Sequence, residues 1–525
     1  MTFALLCCAY AAISGFNTVT RVWGLSPDSM VYIDAAQNLA QGRGLSHSHR
    51  MTHRADHMET ADRLPPLVIW APLYPTLIAG LHACGVPGVY AGLGISAFFA
   101  GVALLCAWDF ARRVGGAGAA MLGAALLMHL LALRHIGAYA WSETTALAFF
   151  LAGCLILVHE KSCRLPVAAI SGVCFGLAFA ARYAFLPAAA IGFAAYWNHR
   201  DYQSMAKRYA VYTIGFMAAA APVLARNWAY SGNLFGPARP PSSTGWMENW
   251  RYAAHTIFGH YLPLETVSSE TQEMLAIVAA ALVVSVLLFG KRWAALRCAF
   301  RRRGFRLLSL WCLLYLVFLI AHRSMYEADP LGVRLLAPAI IPLTLLAAVL
   351  IRSVFGGKET LWCAIGFLLA VAALGREGIA AVRSTPQTMA SRLELSERFR
   401  WICANTTEED LIIGDATMDI PLFCGFRQSL CFMPWDIKER HFQYDDLHSF
   451  LRKNRHRYRN VFIVIRAGLP PEPAFEAQWR AHFGDFVTDL VYGRLSACPE
   501  ISHRETLEDA FVFRLQPGGN IAASI

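Results

Sequence analysis

The first 375 residues read as long apolar runs separated by short polar gaps. Eleven runs are long enough, with tilt, to cross a hydrocarbon layer about 30 Å thick. They lie near residues 3–23, 88–110, 117–133, 143–159, 165–181, 183–197, 210–226, 273–290, 307–321, 335–351 and 361–375. A further apolar stretch, 68–86, contains Pro72 and Pro75, which interrupt a regular helix, so it is expected to be re-entrant or interfacial. Past residue 376 the pattern changes. Residues 393–404 have helical periodicity, and 410–415, 459–466 and 510–515 read as short buried strands, the signature of a small α/β domain.

Composition agrees with a lipid solvent. Of 525 residues, 56% are hydrophobic and only 16% are charged, against about 25% in an average soluble chain, and the mean hydropathy is +0.41. That excludes a soluble globule and a disordered chain. The net charge of +10 does not indicate nucleic acid, because the basic residues sit in the gaps between runs, where they act as topology signals. Arg112 and Arg113, Lys161 and Arg164, Arg200 with Lys207 and Arg208, the 291–306 cluster, and Arg352 with Lys358 occupy alternate connections. These five are expected in the cytoplasm, with the N-terminus. The stretch 25–87, the turn 134–142, Arg182, the loops 227–271 and 322–334, and the tail then face outward. A true crossing at 68–86 would invert every later loop and put the seven basic residues between 291 and 306 outside.

The first run has no basic n-region and no clear small-residue cleavage site, so it reads as a retained span. Most of the fourteen cysteines fall in or beside apolar runs as small hydrophobes. Cys403, Cys424, Cys431 and Cys498 lie in the tail, where an extracytoplasmic location allows one or two disulfides of unfixed pairing. There is no CxxC, HExxH, P-loop or GxGxxG pattern.

Candidate chemistry concentrates at the outward face. In residues 26–44, Ser26 or Asp28 can cap a helix whose apolar stripe is Met30, Ile33, Ala36, Leu39 and Ala40, ended by Gly42 and Gly44. That helix would lie on the membrane surface and hold the Asp28 carboxylate near the headgroups, as a cap or as a catalytic group. Asp34, on another face, reads as a solvated residue. His49, His53 and His57 are spaced so that a helix would align three imidazoles, a possible divalent-metal site, although such a polar loop is more often simply solvated. No cofactor is otherwise indicated. Trp246, Trp250 and Tyr252 read as interface anchors or sugar-stacking rings.

Five stretches, in order, resemble one family. Residues 27–44, beginning Pro-Asp-Ser-Met-Val-Tyr, are similar to the first-loop signature of the GT-C glycosyltransferases, notably protein mannosyltransferases and aminoarabinose transferases. Trp70-Ala-Pro-Leu-Tyr-Pro-Thr-Leu77, Ser142-Glu143, residues 221–235 with Arg226-Asn-Trp and Gly232-Asn-Leu, and Gly332-Val-Arg-Leu-Leu-Ala-Pro338 resemble the later signatures. Leu234 stands where a proline is common, Leu335 replaces an aromatic residue, and Asp28 is followed by Ser29 rather than a second acid. The resemblance implies an all-α polytopic membrane protein of about eleven spans, GT-C-like over 1–376, with a small extracytoplasmic α/β domain over 377–525. It implies transfer of a sugar from a polyprenyl-phosphate donor to a hydroxyl acceptor in the cell envelope, in a bacterial inner or plasma membrane, without nucleic acid. The active site is expected between the first outer loop and the outer span ends. Asp28 would be the general base, Arg334, Arg323 and Arg182 the donor-phosphate ligands, and Glu143 and Tyr74 substrate contacts, with Glu143 alternatively paired to Arg134. A non-catalytic GT-C-like scaffold is the alternative. A transporter fits less well, since no internal repeat is visible.

Overall fold

Lipid removes the option of unpaired backbone, so the apolar runs form helices. The computed structural model describes residues 2–21, 25–51, 64–159, 165–197, 202–237, 239, 241–261, 293–326, 328–383, 396–414, 420, 424, 427–431, 457–466, 501–507 and 510–515. They form α1 (Thr2–Arg21), α2 (Pro27–Ala40), α3 (Leu73–Ala83), α4 (Gly88–Gly115), α5 (Ala117–His129), α6 (Leu131–Ala138), α7 (Glu143–His159) and α8 (Leu165–Ala181). A short 3₁₀ turn, Tyr183–Phe185, leads to α9 (Ala188–Tyr196). Then come α10 (Tyr202–Ser231), α11 (Trp246–Tyr261), α12 (Trp293–Arg301), α13 (Arg303–Met325), α14 (Val333–Phe355), α15 (Glu359–Arg383) and α16 (Glu397–Asn405). The strands are β1 (His49–Met51), β2 (Leu411–Gly414), β3 (Gln428–Cys431), β4 (Val461–Arg466), β5 (Ile501–Thr506) and β6 (Ala510–Leu515).

Ten of the eleven apolar runs fall on helices; the run 273–290 lies outside the described residues. The expected eleven spans are not matched helix for helix. Six described helices, α1, α4, α10, α13, α14 and α15, are long and apolar enough to cross a membrane, and α5 with α6, bent by 56°, can make a seventh. The difference is one of length: α7 and α8 have 17 residues each, or about 26 Å at 1.5 Å per residue, short of a full hydrocarbon layer. The apolar segment at 68–86 holds only the 11-residue α3. Pro75 is accommodated because it lies in the first turn, where its missing N–H breaks no bond.

The chain divides into two compact units, and not at one point. One comprises residues 1–24, 68–77 and 90–385, the other 25–67, 78–89 and 386–525. The boundary anticipated at 376 therefore differs from the observed division, because the first loop belongs with the tail.

In the larger unit α8 and α10 pack at backbone distance. A Cβ on Gly172 or Gly176 would fall 2.2 Å from the Tyr212 carbonyl oxygen or 2.4 Å from that of Phe216, the close approach that small residues permit between helices in lipid. Trp311 packs against Phe150 with ring centres 4.0 Å apart and planes tilted by 31°. Its indole N–H donates to the Pro338 carbonyl at 2.8 Å. That carbonyl lacks its helical donor because residue 342, one turn on, is proline.

The smaller unit carries a six-stranded sheet in the order β1-β3-β2-β4-β6-β5. The first four strands are mutually parallel, and β6 pairs antiparallel with β4 and β5. Strands β2, β4 and β6 lie within the expected 410–415, 459–466 and 510–515, whereas β1, β3 and β5 were not anticipated. Phe399 and Ile402 of α16 pack with Ile412, Phe462, Val464 and Val512. The expected helix over 393–404 starts at Glu397, because the Ser396 hydroxyl accepts from the Phe399 N–H at 3.3 Å and caps it. Cys403 and Cys424 are disulfide-bonded; Cys498 lies outside the described residues.

Candidate active site

Within the larger unit the chain gathers four of the six predicted site residues. Tyr139 is extended at the end of α6 (φ −109°, ψ 152°), and after this turn Glu143 opens α7. A carboxylate at a helix N-terminus is favoured by the helix dipole. Glu143 is fully buried, and one of its oxygens receives both Arg182 Nη1 at 3.0 Å and Arg334 Nε. Arg182 follows α8 and Arg334 lies in the first turn of α14, so three helices meet on this oxygen. Arg134, the partner anticipated from sequence proximity, instead pairs with Glu377 at 3.1 Å.

The Arg334 guanidinium also lies over the Trp141 ring, 4.2 Å from its centre, a cation–π contact. Trp141 extends the cluster to Tyr74. Its carbonyl accepts from Ser96 Oγ at 2.9 Å, and Ser96 Oγ shares a 2.8 Å hydrogen bond with the Tyr74 hydroxyl. Tyr74 is completely buried, so its hydroxyl serves this link and the Gly92 carbonyl at 2.8 Å. Ser96 and Trp141 were missed in the sequence. Trp141 directly precedes the Ser142-Glu143 pair, and Ser96 is a polar residue inside an apolar run; these were the available signals.

Two guanidinium groups here share one buried carboxylate oxygen. Glu143 is 0% exposed, whereas Arg182 and Arg334 keep 14% and 18% of their side chains accessible. The second Glu143 oxygen and Arg182 Nε make no hydrogen bond among the described residues. The cations thus lie at the accessible edge with the carboxylate behind them, an arrangement suited to an anion.

Arg323 does not join this cluster. It is 2% exposed, donates to Asn249 Oδ1 at 2.7 Å and to the Ala328 carbonyl at 2.6 Å, and stacks over Tyr252 at 5.9 Å. Trp246, Trp250 and Tyr252 lie on the helix α11 rather than in an irregular loop.

In the smaller unit Ser26 is the cap of α2: its hydroxyl accepts from the Ser29 N–H at 3.3 Å, with Pro27 at the first helical position. Asp28 therefore occupies the first turn rather than the cap, and is half-buried. The single apolar stripe is not observed. Residues 31–36 are all buried, while Met30 and Leu39 are partly so and Ala40 is exposed. Asp34, expected in solvent, is 3% exposed. It accepts from the Ser48 N–H at 2.6 Å, the Ser48 hydroxyl at 2.7 Å and Asn38 Nδ2 at 3.3 Å. Burial pushes its carboxyl up to about 6, opposed by the Ser48 and Asn38 hydrogen bonds and by Arg43. His49 stands in a strand, not on the helix a three-histidine metal site would need, and His53 and His57 lie outside the described residues. No group of three metal-ligating side chains occurs among the described residues.

No family model matches the chain, and no curated protein matches it by sequence. Solved structures do. The chain superposes on ArnT from Cupriavidus metallidurans, bound to undecaprenyl phosphate, with a TM-score of 0.57 at 11% identity, covering 98% of both chains. Archaeal oligosaccharyltransferase AglB from Archaeoglobus fulgidus, in complex with an inhibitory peptide and a dolichol-phosphate, matches at TM-score 0.51 and 12% identity over 92% of this chain and 72% of that one. Mycobacterial arabinofuranosyltransferase AftD matches at 0.52 and 15% over 98% of this chain and 40% of that one. The fold is GT-C-like. With its apolar helices, the GT-C-like chain is an integral membrane protein.

Proposed function

We propose that the chain is an inverting glycosyltransferase that moves a sugar from a polyprenyl-phosphate donor to a hydroxyl acceptor at the extracytoplasmic face. The observation that carries this reading is the convergence of Arg182 and Arg334 on the fully buried Glu143. Their positive charge matches the phosphate of a lipid-linked donor, a ligand class present in the ArnT and AglB structures. Planar guanidinium groups can engage two phosphate oxygens at once. Glu143 fixes the two cations and Trp141 orients the Arg334 plane.

The acceptor hydroxyl must lose its proton as it attacks, because its own pKa lies far above neutrality. Asp28 takes that proton in this reading. The acceptor oxygen bonds to the anomeric carbon while the bond to the phosphate oxygen breaks, and the polyprenyl phosphate leaves with the electron pair. The first-turn position in α2 favours the ionised carboxylate needed for this step. The expected orientation puts the smaller unit outside the cytoplasm, and the Cys403–Cys424 disulfide belongs to an oxidising compartment.

The decisive experiment measures sugar transfer from a polyprenyl-phosphate donor by the purified protein and its Asp28→Asn variant. Loss of about 10²–10⁴-fold in turnover, with membrane insertion intact, is expected for removal of a general base. No consumption of donor by the wild type would leave a scaffold with this fold, and full turnover by the variant would remove Asp28 from the mechanism. A reporter active only outside the cytoplasm, fused after Ile525, should be active; a silent one would reverse the orientation.

A further inference from the structure

Asp34 has no part in the reaction above, yet it is buried and fully engaged in hydrogen bonds. Both of its oxygens are bonded: Oδ2 accepts the Ser48 N–H and hydroxyl, and Oδ1 accepts Asn38 Nδ2. Asn38 is itself committed, donating to the Ser46 carbonyl at 3.2 Å and receiving Arg43 Nη1 at 3.4 Å. Ser48 is 1% exposed, and its carbonyl faces the other way, accepting from the Ser429 N–H of β3 at 3.2 Å. The next residue begins β1, which pairs in parallel register with β3, His49 opposite Ser429. One residue therefore joins the helix bearing Asp28 to the edge of the sheet built by the tail.

A buried carboxylate loses its hydration, and a helix gains nothing from one on its own account. Here its acceptors are spent on the one segment that continues into the sheet. Helix α2 is also held from a second side, since a Cβ on Gly88 would lie 3.0 Å from Ile33 Cγ2 and 3.3 Å from Gln37 Nε2. That contact limits how far the helix can lean, whereas the Asp34–Ser48 bonds limit rotation about its axis, and rotation is what would re-aim a first-turn side chain.

We infer that Asp34 is a positioning residue for Asp28, locking the rotation of α2 by tying it through Ser48 to the edge strand β1, so that the tail sheet serves as the frame of the first outer loop. This inference rests on the role proposed for Asp28. A displacement of about 1 Å at a reacting group costs on the order of 10²-fold in rate, so the link need not touch substrate to govern turnover.

The test compares wild type, Asp34→Ala, Asp34→Asn and Ser48→Ala by donor kinetics and by amide hydrogen exchange on the full-length protein. Asp34→Ala should lower kcat by about 10–100-fold while the donor KM stays within about two-fold, because the proposed phosphate ligands lie in the other unit. Asp34→Asn, which keeps a carbonyl oxygen for the Ser48 N–H, should recover most of that loss, and Ser48→Ala should fall between them. Exchange at the Ser48–Met51 amides should quicken in Asp34→Ala alone. Wild-type kcat and wild-type exchange in Asp34→Ala would overturn the inference. So would a loss of rate that Asp34→Asn does not rescue and that accompanies faster exchange throughout the smaller unit, since Asp34 would then be a stability residue only. If the wild type transfers no sugar, the proposed activity falls instead, and unchanged Ser48–Met51 exchange in Asp34→Ala would separately refute the link.

Discussion

Two clusters in the helical unit share one composition, a glutamate with two arginines, and differ in what the arginines do. Glu143 is 0% exposed and takes Arg182 and Arg334 on one oxygen. Glu377, 7% exposed, pairs with Arg134 and Arg376. In the second cluster the donors are largely used in joining helices. Arg376 Nη2 reaches the Met128 carbonyl at 2.9 Å, Asn17 donates to the Glu377 carbonyl at 3.0 Å, and Arg134 and Arg376 stay 37% and 36% exposed. The arginines on Glu143 are half as exposed and lie in front of a deeper carboxylate. Equal charge count thus joins helices in one place and, in the reading proposed above, seats an anion in the other; the variable that separates them is how deeply the shared carboxylate is buried behind its arginines.

The largest effect should come from removing that counter-ion. Glu143→Gln leaves two buried guanidinium groups without a carboxylate, a loss of about 3–5 kcal/mol, while Glu377→Gln should cost about 1 kcal/mol because its partners are more than a third exposed. Thermal unfolding in detergent would show the contrast as a much larger fall in Tm for Glu143→Gln. Equal falls would erase the distinction between the two clusters.

A conservative exchange probes the same distinction at smaller amplitude. Arg334→Lys keeps the charge but loses the planar fork, so the donor concentration for half-maximal transfer should rise about 10-fold, equivalent to about 1.4 kcal/mol. Arg134→Lys should leave that value within about two-fold. Matching kinetics for Arg334→Lys and wild type would return Arg334 to membrane anchoring and move the search for the phosphate contact to Arg182 and Arg323.

What could be read from the chain followed the range of the interactions. Apolar runs announced helices because lipid enforces them residue by residue, and the GT-C resemblance at Ser142-Glu143 and Gly332–Pro338 pointed to side chains that do converge. Pairing was another matter. Arg134 lies nine positions before Glu143 in sequence, yet Glu143 is met by Arg334, 191 residues away, because the turn at Tyr139 directs the two side chains to different neighbours. Strand β1 spans three residues, too few to show alternation, and β5, Ile501–Thr506, is polar at every position after the first. Asp34 looked solvated because the group that takes one of its oxygens, Ser48, lies fourteen residues away in the chain. The order of α7, α8 and α14 around one oxygen is likewise a property of packing that no local pattern encodes.

Asp34 supplies the smallest prediction and extends the comparison to a third buried carboxylate, one with no ion pair of its own. Glu143 is met by two cations, whereas the charge acting on Asp34 among the described residues is Arg43, which bonds Asn38 rather than Asp34. Its carboxyl is accordingly raised from 3.8 to about 6 in the folded protein. A carboxyl whose folded value lies above its unfolded one binds protons more tightly when folded, so its contribution to stability is complete below about pH 4 and is lost as pH rises through about 6. Between pH 7 and pH 5 the smaller unit should gain about 1 kcal/mol from this group, or about 3 °C in Tm. Histidines titrate in the same window, so the informative quantity is the difference from Asp34→Asn, whose Tm should rise less over that interval. Parallel Tm profiles for the two proteins from pH 5 to 7 would mean that Asp34 ionises as freely in the fold as in the unfolded chain, and that its hydrogen bonds to Ser48 and Asn38 fully offset its burial.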